Sequence, residues 1–128
     1  MVAKNLWPDL KTSEPIRTVR TVLVEAASGL VERTDSKVSC LVETIPGGSG
    51  RFTHQAYLSV AVMGYRYPLF RVQEQGDPYP VMVFGDGTFQ KGVACGNEAY
   101  LEETLRLLFN SDHTKRMIFQ LLDLHQAA

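Results

Sequence analysis

Residues 51–75, RFTHQAYLSVAVMGYRYPLFRVQEQ, are dominated by β-branched and aromatic side chains that alternate with a period of two. That period marks strands rather than helices. From Arg51 to Met63 it places Phe52, Ala56, Leu58, Val60 and Val62 on one face, and Tyr57, Ser59, Ala61, Met63 and then Tyr65 on the other. The second face is small and aromatic rather than charged, which is unusual for a sheet face that meets only water. Gly64 and Pro68 bracket Tyr65-Arg66-Tyr67, predicting a bend or bulge there and a further strand over Leu69–Gln75.

The pattern extends in both directions. Lys37–Ile45 reads as a preceding strand, joined to Arg51 by the flexible turn Pro46-Gly47-Gly48-Ser49-Gly50. Beyond the stiff loop Gly76–Pro80, Val81–Phe84 and Thr88–Val93 are expected to form a hairpin around Gly85-Asp86-Gly87. Short turns between successive strands imply an antiparallel meander of four to five strands.

Helical periods flank this region. Ser13-Glu14-Pro15 predicts a helix start, and over residues 16–33 the apolar arc spans roughly 200°, wider than the usual stripe, so other elements or a partner chain should wrap this helix. Arg20 lies inside that arc and is expected to reach its edge or meet an acid such as Glu43. Asn97 can cap a helix ending near Phe109, and Asp112–His125 forms another after Asn110-Ser111. The fold class is α+β: an N-terminal helix, the meander, and two C-terminal helices packed on the sheet. Residues 1–12 are expected to be an extended arm anchored by Trp7 and Leu10, and 13–128 a single domain.

Composition narrows the function. The 128 residues carry 13 basic and 14 acidic side chains, spread without a basic block, which argues against affinity built on phosphate neutralisation. Two widely spaced cysteines, Cys40 and Cys95, fit free thiols in a reducing compartment. No apolar run is long enough to span a membrane, and Met1–Leu10 does not resemble a signal peptide, so a cytoplasmic location is expected. His54, His113 and His125 lack metal-ligand spacing, and no residue pattern implies a cofactor. His54 is expected opposite Glu43 on the first hairpin.

Four functional readings follow. Foremost is a non-enzymatic interaction module that associates with itself as a homodimer, or with another protein, through the broad first helix or an aromatic sheet face made of Tyr57, Tyr65, Tyr67, Phe70 and Tyr79 with Arg66 and Arg71. The second is a small-molecule binder with a pocket between sheet and first helix, lined by Met63, Tyr57, Tyr65, Phe84 and Arg20. The third is an enzyme using Cys95, whose place before a helix start can favour thiolate. The last is a helix-turn-helix DNA binder led by Ser111, Thr114, Lys115 and Arg116, though Asp112 at the tip and the acidic balance of the segment favour a plain helical hairpin packed on the sheet.

Overall fold

Residues 52–60 form a strand whose even members from His54 onward, His54, Ala56, Leu58 and Val60, are buried on one side. In the computed structural model, which describes residues 4–85, 87 and 89–127, this strand is β2 (Phe52–Val60). It pairs with β1 (Ser39–Pro46) on one side and β3 (Tyr65–Glu74) on the other; β4 (Val81–Gly85) and β5 (Val93–Cys95) follow. The sheet order is β1-β2-β3-β4-β5, antiparallel throughout.

Three helices complete the α+β fold: α1 (Val19–Arg33), α2 (Glu98–Phe109) and α3 (Asp112–Ala127). All three contribute to one core on the same face of the sheet. Val19, Val22 and Leu23 of α1, Leu101, Leu105 and Leu108 of α2, and Leu121 of α3 meet Leu58, Val60, Val72, Val81 and Val83 there. Burying large aliphatic side chains in this way stabilises the fold by about 1.5–3 kcal/mol each.

Helix α1 begins later than the sequence suggests. Ser13 does not cap it, because its hydroxyl donates back to the Asp9 carbonyl and closes a separate turn within the arm. Thr18 is the cap, its Oγ1 accepting from the Thr21 N–H at 3.1 Å. At the other end Asn97 caps α2 as expected, its Oδ1 accepting from the Tyr100 N–H at 2.8 Å.

The strand expected to run to Met63 stops at Val60. Ala61–Met63 form a single 3₁₀ turn, and Gly64, at φ 63°, reverses the chain. Such a left-handed angle suits glycine, which has no Cβ to clash. Consequently Tyr65 opens β3 directly opposite Val60. The bulge predicted around Tyr65-Arg66-Tyr67 lies slightly later: Tyr57 pairs with Pro68 and Ala56 with Phe70, leaving Leu69 as the extra residue. Pro68 has no N–H to give the ladder, so the pairing is interrupted beside it. Strand β5 is only three residues long, and Asp86 and Thr88 of the expected hairpin lie outside the described residues.

Buried Thr34 joins α1 to β1. Its Oγ1 lies 2.9 Å from the Leu30 carbonyl and 2.8 Å from that of Val38, and accepts from the Val38 N–H at 3.1 Å. Thr34→Val keeps the shape but strips a buried N–H of its acceptor. Urea denaturation should show a loss of about 1–3 kcal/mol, the usual cost of an orphaned buried group.

Candidate functional site

The side chains expected to form one aromatic face divide between the two faces of the sheet. Residues directly opposite one another in a ladder share a face. Tyr65 pairs with Val60, Tyr67 with Leu58 and Phe70 with Ala56, so all three point toward the helices. Phe70 meets Phe109 with ring centroids 5.8 Å apart, Tyr67 is 3.1 Å by its hydroxyl from His113 Nε2, and Tyr65 sits beside Met117 and Leu121. Tyr79, in the β3–β4 loop, also packs on the core, and burial, followed by the nearby Glu98, pushes its phenol pKa up.

Tyr57, Arg66, Arg71 and Phe84 remain on the helix-free face. There Arg66 stacks over Tyr57 at 4.9 Å and pairs with Glu43 at 2.8 Å, while Arg71 stacks over Phe84 at 4.6 Å. Each ring is capped by a guanidinium, which covers the apolar surface with a charged group. Met63 lies exposed in the 3₁₀ turn, away from both sets. Glu43 stands opposite Gln55 on this face and pairs with Arg66 rather than Arg20, whereas His54 stands opposite Thr44 and faces the helices, so neither Arg20 nor His54 meets the acid expected for it.

His54 instead organises a polar cluster inside the protein. It is buried, with Thr44 Oγ1 2.9 Å from Nδ1 and Glu74 Oε2 2.7 Å from Nε2. An ionised carboxylate only accepts, so Nε2 carries the hydrogen; in the neutral ring Nδ1 then accepts from the Thr44 hydroxyl. The three side chains come from β1, β2 and β3. They form the floor of a pocket of about 440 Å³ closed on one side by the start of α1. The parity of His54 with Ala56 and Leu58 signals its burial from sequence alone. No such signal marks Glu74, whose face depends on the bulge at Leu69.

A second, apolar groove of about 530 Å³ runs between α1 and α3, floored by Cys40, Leu58 and Leu69. It lies between the sheet and the first helix, and none of Met63, Tyr57, Tyr65, Phe84 or Arg20 lines it. Phe119, exposed as its helical position implies, stands at its edge. The arm does not fold into it: Trp7 and Leu10, expected as anchors, are 82% and 75% exposed.

The remaining candidates have structural surroundings. Cys95 is buried, with Sγ 3.4 Å from Thr104 Oγ1, and burial raises its pKa, opposite to the shift a nucleophile needs. Cys40 is pushed up to about 11 by burial. Both cysteines are free. Ser111 Oγ accepts from the Thr114 N–H, and Thr114 is buried, so only Lys115 and Arg116 of that quartet face outward as exposed cations. Among the described residues no group of three potential ligands could hold a metal ion, and no helix is long and apolar enough to cross a membrane.

Comparison with protein-family models, with curated proteins and with solved structures finds no match to this chain.

Two outcomes check this geometry. Glu74→Ala leaves the buried imidazole N–H without an acceptor and should cost about 1–3 kcal/mol in chemical denaturation, whereas Glu74→Gln retains an acceptor and should cost less. Thiol titration at pH 8 should label Cys40 and Cys95 slowly in the native protein and rapidly after unfolding; at a pKa near 11 only on the order of 0.1% of a thiol is ionised there.

Proposed function

We propose that this chain is a small interaction protein that forms a homodimer by exchanging its N-terminal arm, residues 4–16, into the groove between α1 and α3 of a second copy. The observation that carries this reading is the exposure of the arm's large apolar side chains. Leu6, Trp7, Leu10 and Ile16 are 75–89% exposed, although burying each would contribute roughly 1.5–3 kcal/mol.

Surface area supports the same reading. The chain exposes 8711 Å², about 1,900 Å² more than a compact monomer of 14.3 kDa is expected to show. A stable interface needs about 800 Å² from each partner. The groove offers Leu30, Ile118, Phe119 and Leu122 to apolar side chains, with Arg33 and Lys115 available to Asp9 or Glu14 of the arm. Thirteen extended residues reach about 45 Å, enough to cross between subunits. Reciprocal exchange fills both grooves and closes the assembly as a twofold dimer. The helix-free sheet face suits this role less well, because its rings are already capped by Arg66 and Arg71.

Native mass spectrometry of the full chain tests this. The expected result is a dimer that becomes monomeric in both Trp7→Asp and Phe119→Lys, each substituting an exposed residue, while Tyr57→Glu remains dimeric. A monomeric wild-type protein overturns the proposal, as does a dimer that survives both groove and arm substitutions. A dimer lost only in Tyr57→Glu moves the interface to the helix-free face.

A further inference from the structure

The pocket above His54 has a different chemistry from the groove. Its floor is the Thr44–His54–Glu74 chain of hydrogen bonds, with every buried side-chain oxygen or nitrogen among the described residues satisfied. Glu74 uses only Oε2 in that chain, and its side chain is 9% exposed. Because no buried polar atom is orphaned, Oε1 must reach the surface, and Glu74 lines the pocket. The arrangement therefore holds one carboxylate oxygen fixed and available: His54 occupies one side of the carboxylate, and Thr44 fixes the ring.

The charges at the rim are of both signs. Arg17 is engaged by Glu25 at 2.9 Å and by Glu98 at 3.1 Å. Arg20 and Asp77 also line the pocket, and neither side chain makes an ion pair or hydrogen bond among the described residues. Between floor and rim the walls are apolar, formed by Val19, Phe52 and Pro78. A volume of about 440 Å³ falls within the usual range of small-ligand pockets, about 300–1,000 Å³.

We propose that this pocket binds a free α-amino acid with an apolar side chain. The ammonium group meets Glu74 Oε1 and Asp77, the carboxylate meets Arg20, and the side chain lies against Val19, Phe52 and Pro78. A purely cationic ligand would leave Arg20 unanswered, and a purely anionic one would face Glu74 and Asp77. An amphoteric ligand satisfies both, and a small number of placed polar groups within apolar walls is the common pattern of specific sites. Ile16, at the end of the arm, also borders this pocket, but the residues assigned to the ligand belong neither to the arm nor to the groove.

Isothermal titration calorimetry of the full chain with L-phenylalanine and L-leucine tests the assignment, with phenethylamine and 3-phenylpropionate as probes lacking one charge each. The expected result is one site per chain, with each single-charge analogue at least about tenfold weaker, a factor commonly carried by one well-placed polar contact. Arg20→Ala should abolish the preference of L-phenylalanine over phenethylamine, and Asp77→Asn should weaken both. These two residues are exposed, and circular dichroism of the variants is to check that they fold. Glu74→Gln should remove ammonium recognition while retaining the acceptor for His54. Absence of binding overturns the proposal, and so does a phenethylamine affinity equal to that of L-phenylalanine in the wild type. Equal affinities in wild type and Arg20→Ala also overturn it, and tighter binding of a Phe-Ala dipeptide reassigns the site to peptide termini. Repeating the titration with Trp7→Asp separates this result from self-association, since ligand binding should persist when the dimer is lost.

Discussion

One extra residue in the middle strand organises both faces of this protein. Leu69 bulges out of the β2–β3 ladder next to Pro68, and the alternation of β3 changes phase there. Before the bulge the odd residues Tyr65 and Tyr67 face the helices; after it the even residues Phe70, Val72 and Glu74 do so. A regular strand would carry its parity unchanged from end to end. With the bulge, both halves of β3 contribute to one core, and Glu74 lies on the same side as His54, twenty positions away in sequence. Bulges recur next to functional positions because they re-aim side chains in this way.

The two sides of the sheet solve the problem of aromatic surface differently. Toward the helices, rings pack against rings and aliphatic side chains: Phe70 on Phe109, and Tyr65 among residues of α3. Toward the open side, Tyr57 and Phe84 are each overlaid by an arginine from β3, so the sheet meets solvent through guanidinium groups. Arg66 and Arg71 lie on that side because they have the opposite parity to the inward residues on their own side of the bulge. The same phase change therefore supplies the open face with its two arginines and the core with its aromatics.

Much of the fold was legible in the sequence because local signals specified it. The change from period 3.6 to period two and back, the cap at Asn97, and the short connections between strands are properties of neighbouring residues. They were sufficient for the element order and the α+β class. The failures came where a residue's role depends on a distant partner. Ser13 looks like a cap, but its hydroxyl is taken by Asp9, and Thr18 performs that task. Ala61–Met63 continue the strand alternation yet close a turn, which made Tyr57 and Tyr65 look like neighbours on one face. The candidate pocket was less legible still. His54 has the parity of a core residue, but its partners Thr44 and Glu74 come from two other strands, and only the β1–β2 register and the bulge bring them together.

The order of the sheet also has a kinetic side. Each strand pairs with its successor, so the contacts that build the sheet span short loops and carry a small closure entropy. The cover of the core face arrives differently: α1 precedes every strand, whereas α2 and α3 follow all of them, and α3 returns across the sheet to β2. During synthesis, which proceeds from the amino terminus, the sheet can assemble while Leu58, Val72 and Val81 still lack the leucines of α2 and α3. The apolar face is then transiently open, and residues 98–127 serve as the late-arriving half of the core that closes it.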